Sequence, residues 1–220
     1  MKTHAIAMLF KTMLAIAGVG LVSCSAAWAG GVNAAAFAKS GEPMSDVVIY
    51  AVPLDAHALP SAVKAEVSTV AQDHLQFTPY VTAVRVGSEV RFPNYDKIEH
   101  HVKSFSPARE FEIKPYEKVT PPPVVFDKTG VVVIYCLIHE WMRAYVYVVD
   151  TPYFGKSEAA GTVALDSLPP GNYEIRAWHP DMGTIKPPLL QTVKLGENGV
   201  QQVKFDFDFI PKKRKPAKTS

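Results

Sequence analysis

Apolar positions along this chain alternate or run together, and few recur at helical spacing. Val47-Val-Ile-Tyr-Ala-Val52 is a β-branched run stopped by Pro53. Val84-Arg-Val86 and Val90-Arg-Phe92 flank Gly87-Ser-Glu89, which predicts a tight hairpin or bend. Val131-Val-Val-Ile-Tyr135 is apolar throughout, the pattern of a strand buried on both faces, and Tyr145-Val-Tyr-Val-Val149 follows closely. Val203-Lys-Phe-Asp-Phe-Asp-Phe209 alternates strictly, predicting one dry and one wet face. Residues 61–71 are ambiguous: Val63, Val67 and Val70 fall at helical spacing after Pro60, so a short helix is an alternative there. Many short strands with Pro and Gly punctuation predict an all-β sandwich or barrel.

The composition agrees with a folded chain. Of 220 residues 48% are apolar and 20% charged, which excludes a wholly disordered protein. The length allows one or two domains. Two cysteines cannot make a disulfide scaffold. Residues 1–29 hold Lys2, Lys11, the apolar run Met13–Val22 and the small-x-small exit Ala27-Trp-Ala29, the layout of a secretory signal. The apolar core is shorter than the roughly 20 residues of a spanning helix. Cleavage after Ala29 is the expected processing. The rival is Leu21-Val-Ser-Cys24, which resembles a bacterial lipobox and would give membrane contact through a lipidated Cys24. Both point to export, to a periplasmic location and, after cleavage, to Cys136 as the remaining thiol, unable to form an internal disulfide.

Charge is unevenly spread. Residues 30–210 hold 16 Lys and Arg against 21 Asp and Glu, whereas 211–220 hold Lys212, Lys213, Arg214, Lys215 and Lys218 with no acid. The expectation is a solvated, disordered basic tail; docking to an anionic surface or partner is the functional alternative. Nucleic-acid binding would rest on that tail alone, and none is expected of an exported protein.

The densest chemistry is Cys136-Leu-Ile-His139-Glu-Trp-Met142, with Glu99-His100-His101 upstream. A thiolate, imidazoles and a thioether are soft or borderline ligands suited to copper or zinc. A His₂Cys plane with a weak axial Met is the electron-transfer copper arrangement. The strand over 131–135 delivers Cys136 at its end, and a short loop returns His139 and Met142 before the next strand departs. Neighbouring strand residues face opposite sides, so one of His100 and His101 is expected to ligate, with the pair as an adaptable site the remaining alternative. His100 shares a face with Val102, which favours it, although Phe105 lies on the other face. Glu140 is expected in solvent, Tyr135 in packing, and His179 as a surface histidine at a strand end. Trp141 is either packing or part of an apolar docking patch beside His139. His57, His74, Met44 and Met182 have no partner motif.

Gly130-Val-Val-Val-Ile-Tyr-Cys136-x-x-His139 is similar to a segment of plastocyanin, and the Cys-x2-His-x2-Met loop resembles that of amicyanin. Across 70–155, Phe92-Pro-Asn-Tyr-Asp96, His100–Ser106, Phe126–Gly130 and Val149–Phe154 resemble cupredoxin-like proteins associated with methylamine utilisation. The resemblance implies a Greek-key β-barrel or sandwich over 66–150, one type 1 copper at His100, Cys136, His139 and Met142, and exchange of single electrons with a redox partner protein. It also maps the ligand onto His100 and exposes a departure: His101 stands where the family has an Asn that supports the ligand loop.

Around this unit, Ser40–Tyr50 and Gly161–Arg176, with its Leu168-Pro-Pro-Gly-Asn-Tyr173 turn, resemble the small β-sandwich of transthyretin and carboxypeptidase-regulatory domains. That implies a second domain, built from 36–56 and 156–210 and split around the cupredoxin-like unit, with two sequential β domains as the alternative. Three functions are weighed: an electron carrier, a copper-binding or delivery module without electron turnover, and a multicopper enzyme. The last needs further His clusters, and the remaining mature-chain histidines make no His-x-His pair; no enzymatic activity is therefore expected.

Overall fold

A computed structural model of the chain describes residues 30–55, 66–197 and 199–214. The proposed signal segment with Cys24, and also His57, Val63 and Lys215–Ser220, lie outside the described residues.

The β-branched and aromatic runs all become strands. In chain order these are β1 (Gly30–Phe37), β2 (Val48–Pro53), β3 (Val67–Thr69), β4 (Ala71–Asp73), β5 (Gln76–Thr78), β6 (Val81–Arg85), β7 (Ser88–Arg91), β8 (His100–Ser106) and β9 (Arg109–Tyr116). There follow β10 (Val124–Phe126), β11 (Gly130–Tyr135), β12 (Arg143–Val149), β13 (Phe154–Lys156), β14 (Thr162–Leu168), β15 (Gly171–Trp178), β16 (Leu189–Leu195) and β17 (Val200–Asp206). The helical alternative for 61–71 is not realised in its described part, since Val67–Thr69 pairs in parallel with β7.

The outer strands build one sandwich from both ends of the chain. Its sheets run β14-β1-β17 and β13-β2-β15-β16. Strands before and after the 66–149 segment therefore pair with one another, β1 with β14 and β17, and β2 with β13 and β15. β1 starts at Gly30 and is the central strand of its sheet. The bend at Ser40–Pro43 is a corner between sheets, with Gly41 at φ 86° and one bridge from Phe37 to Pro43. The Pro169-Pro170 turn is another such corner, tied down by the Tyr173 hydroxyl donating to the Pro169 carbonyl at 2.8 Å.

Ser157 closes this sandwich from inside. Fully buried, its Oγ accepts from the Val47 N–H at 3.0 Å and donates to the Met44 carbonyl at 2.7 Å. Ser157→Ala leaves both groups without water or partner and is expected to cost about 1–3 kcal/mol. Urea denaturation measures it, and an unchanged midpoint would remove Ser157 from this role.

The inserted unit packs the three-stranded sheet β10-β7-β3 against the five-stranded sheet β6-β12-β11-β8-β9. The sheets stay separate, so the unit is a sandwich and not a closed barrel. β6 and β7, expected as a possible hairpin, lie in different sheets, and Gly87 at φ 88° carries the chain across.

Strand β12 belongs to two cores at once. Ala144, Val146 and Val148 face the interior of the inserted unit, and Tyr145, Tyr147 and Val149 face the split sandwich. Trp178 of β15 meets that second face, with ring centroids 5.8 Å from Tyr145 and 4.9 Å from Tyr147. The Tyr50 and Tyr147 hydroxyls share a hydrogen bond at 3.0 Å. A two-faced strand must be apolar at every position, which is why the β11–β12 stretches lack alternation.

Candidate metal centre

β11 and β12 form an antiparallel hairpin with register from Gly130 opposite Val148 to Tyr135 opposite Arg143. The loop between them is stapled by its own backbone. Cys136 N–H donates to the Met142 carbonyl, His139 N–H to the Cys136 carbonyl, and Met142 N–H to the His139 carbonyl. This holds residues 136–142 in a tight loop on the rigid end of two paired strands.

His100 enters from β8. His100, Val102, Ser104 and Ser106 form its buried face, as the alternation predicts. A register irregularity between His100 and Val102 marks a bulge beside the site, a common device for re-aiming a side chain.

Among the described residues, His100, Cys136 and His139 form the one group whose donor atoms all lie within 4.8 Å of each other. His100 Nδ1 is 3.1 Å from His139 Nδ1, and Cys136 Sγ is 3.8 Å from the first and 3.5 Å from the second. A planar ion held by two imidazole nitrogens at about 2.0 Å and a thiolate at about 2.3 Å spreads its donors about 3.5–3.8 Å apart. The observed triangle is close to those sides, so the donor set fits a single metal ion. Met142 is 1% exposed and buried in the same apolar cluster as Cys136.

His101 points elsewhere: its Nε2 lies 2.9 Å from Glu112 Oε1. What His101 gives the site is its main-chain N–H, which hydrogen-bonds toward Cys136 together with that of Ile138.

Sequence reasoning singled out Asp96 only within a block of family resemblance, yet it is a structural keystone here. Its Oδ2 is 2.8 Å from His100 Nε2, with both side chains nearly sealed from solvent. The same carboxylate accepts the main-chain N–H groups of His74 and Leu75 at 2.8 and 3.0 Å. Asn94 in turn accepts the Asp96 N–H at 2.9 Å. With Nε2 engaged by the carboxylate, His100 presents Nδ1 toward Cys136 and His139. Histidine ligands commonly carry such an outer carboxylate. The one available signal was an acid four residues before the histidine.

The electrostatics prime the thiol. Burial alone would push Cys136 up, but hydrogen bonds from His100 and from the His101 and Ile138 backbone bring it below its ordinary value. Burial would depress His100, yet Cys136 and Asp96 raise it above the usual imidazole range. Burial likewise opposes ionisation of Asp96, and His100 with the two backbone donors overcomes it, leaving the carboxyl below its usual range. Opposite charges thus support one another in a dry site.

Nearby, buried Gln72 donates through Nε2 to the Phe92 and Pro93 carbonyls at 3.2 and 3.1 Å, and to the Tyr116 hydroxyl. Burial pushes the Tyr116 phenol up to about 12, so it stays a neutral hydrogen-bonding group.

Asp96→Asn removes the charge while keeping the shape. It is expected to weaken metal affinity about 10–100-fold, read by titration against a competing chelator, with circular dichroism unchanged. Equal affinities would show that the carboxylate is not a support of the site.

The outlying residues resolve as follows. His74 is exposed, 2.9 Å from Asp73. His179 is not a surface residue: it is 6% exposed, its Nδ1 accepts the Asp181 N–H at 3.1 Å, and its ring packs on Phe209. The Pro180–Met182 turn folds over it, and burial holds its pKa below the ordinary value. Glu140 is exposed. Tyr135 packs on Phe105 and carries the Arg143 guanidinium 5.1 Å from its ring centroid. Trp141 donates to the Leu75 carbonyl at 3.1 Å and stands 5.4 Å from the His139 ring.

No family model matches this chain, and no curated protein does. Among solved structures it is similar to a copper-containing nitrite reductase from Thermus scotoductus SA-01, at 23% identity and a TM-score of 0.37, over 44% of this chain and 25% of that one. It is also similar to an amicyanin variant in the Cu(I) form, at 21% identity and a TM-score of 0.34, over 46% of this chain and 99% of that one. A reduced amicyanin variant at pH 4 gives 20% identity and a TM-score of 0.35 over the same shares. The chain thus spans a quarter of the reductase and nearly all of amicyanin. These are cupredoxin structures, and the likeness covers less than half of the chain; the chemistry of the site rests on its own geometry.

Proposed function

We propose that this is a type 1 copper protein that carries single electrons outside the cytoplasm, with His100, Cys136 and His139 as principal ligands and Met142 as a weak fourth. The observation that carries the reading is the buried triangle of one sulfur and two imidazole nitrogens, all within 4.8 Å. Copper supplies a one-electron change between Cu(I) and Cu(II). Cys136 contributes a soft, readily ionised thiolate. Asp96 fixes the His100 ring, and the stapled hairpin loop fixes His139 and Met142. Both strand ends resist rearrangement, and the apolar surroundings of Met142 and Cys136 exclude water.

His139 is half-buried and lies by exposed Leu137, Ile138 and Trp141. An apolar spot beside a ligand is suited to brief contact with a redox partner. The reading as an exported protein is supported by the signal-like layout of residues 1–29.

Loading the purified chain with Cu(II) tests the reading. The expected result is an intense visible thiolate-to-copper band and reversible one-electron reduction. A colourless protein with bound copper, passing the ion to a chelating recipient, would favour a delivery module instead.

A further inference from the structure

The basic C-terminus does not leave the body at position 211. Pro211–Arg214 lines a cleft of about 730 Å³ together with Trp141 and Met142 of the candidate ligand loop and Arg143 at the start of β12. The Lys212 N–H donates to Asp181 Oδ2 at 2.7 Å. The Arg214 guanidinium lies 4.6 Å from the Tyr80 ring centroid and 3.5 Å from Asp46 Oδ2. The first four residues of the stretch expected to be free are therefore a seated strap, anchored on both sandwiches.

The anchors consume the main chain of Lys212 and the side chain of Arg214. Among the described residues no carboxylate pairs with the ammonium groups of Lys212 or Lys213, and none pairs with Arg143. Lys212, Lys213 and Arg143 are thus exposed cations lining one cleft, in which Asp46 is engaged by Arg214 and Asp181 by the Lys212 main chain while Glu140 is exposed. The candidate ligand loop beside it has Leu137, Ile138 and Trp141 at 48%, 50% and 38% exposure. Elsewhere the chain has the opposite sign, with 16 bases against 21 acids over 30–210. Separated charge of this kind orients an encounter and raises association rates.

We propose that the strap, with Arg143, forms the charged rim of a docking surface for an acidic protein partner, the ligand loop being its apolar centre. An apolar centre inside a polar rim is the anatomy of a protein interface. A lipid headgroup layer would be served by a loose basic tail, whereas this strap is held in a fixed register. The purpose of docking rests on the electron-carrier reading; the binding itself does not.

Lys212→Glu with Lys213→Glu in the full chain tests it. In the copper-loaded protein at low ionic strength, oxidation by anionic hexacyanoferrate(III) is expected to slow about 10-fold or more. Oxidation by cationic tris(phenanthroline)cobalt(III) speeds up, and both differences vanish at high salt. In the metal-free protein, calorimetric binding of a Glu/Leu peptide weakens by a similar factor. Unchanged peptide binding, or equal effects on both oxidants, would overturn the proposal. So would loss of binding to vesicles rich in anionic lipid with peptide binding intact, because the surface would then serve a membrane. If neither oxidant reacts with the wild-type chain but the substitutions abolish peptide binding, the docking surface stands and the carrier reading falls.

Discussion

Cys136→Ser is expected to abolish the visible band of the copper-loaded protein and to weaken copper binding by more than about 100-fold, since altering an outer partner alone costs up to about that factor. The reason is chemical and not steric. A serine hydroxyl stays protonated where the thiol, aided by His100 and the His101 and Ile138 N–H groups, ionises readily. It also lacks the polarisable sulfur that copper prefers. The fold should survive, because the residue is a small part of an apolar cluster that includes Phe92, Phe126 and Ile134. Circular dichroism checks the fold while absorption and chelator competition check the site. A serine variant that keeps the band would place the chromophore elsewhere and overturn the type 1 proposal.

Trp178→Ala should have the largest effect on stability. The side chain is 1% exposed, lies against Tyr145 and Tyr147 of β12, and donates from Nε1 to the Gly183 carbonyl at 2.9 Å. Truncation opens a cavity between the two sandwiches, costing about 3–5 kcal/mol, a large share of the roughly 5–15 kcal/mol that holds a typical domain. Because β12 lines both cores, the loss should lower the urea midpoint of the whole chain. The copper band should persist in the folded population. A change below about 1 kcal/mol would show that the sandwiches do not depend on this contact.

Much of the site was readable one segment at a time. The Cys-x2-His-x2-Met spacing places three candidate ligands in one hairpin loop, because the apolar runs on either side must pair as strands. The β8 alternation puts His100 inward with Val102. The β17 alternation puts Val203, Phe205 and Phe207 inside, at 4%, 2% and 3% exposure. Other elements left no such mark. β1 reads Gly-Gly-Val-Asn-Ala-Ala-Ala-Phe, a poor strand by propensity, and is a strand only because β14 and β17 flank it. His179 resembles a surface histidine until Phe209 and the 180–182 turn close over it.

The sequence by itself determined the all-β class, the grouping of three candidate ligands in one loop and the division of charge between body and tail. Each of these is a matter of local spacing or of counting, and strand periodicity acts over a few residues. Only the tertiary structure decided that Asp96 grips His100, that His101 offers its backbone while its ring turns to Glu112, and that Pro211–Arg214 shares a cleft with Trp141 and Met142. Those relations depend on where bends such as Gly87 and the corner at Gly41 send the chain. Contacts between segments far apart along it follow from packing, which no short stretch of residues encodes alone.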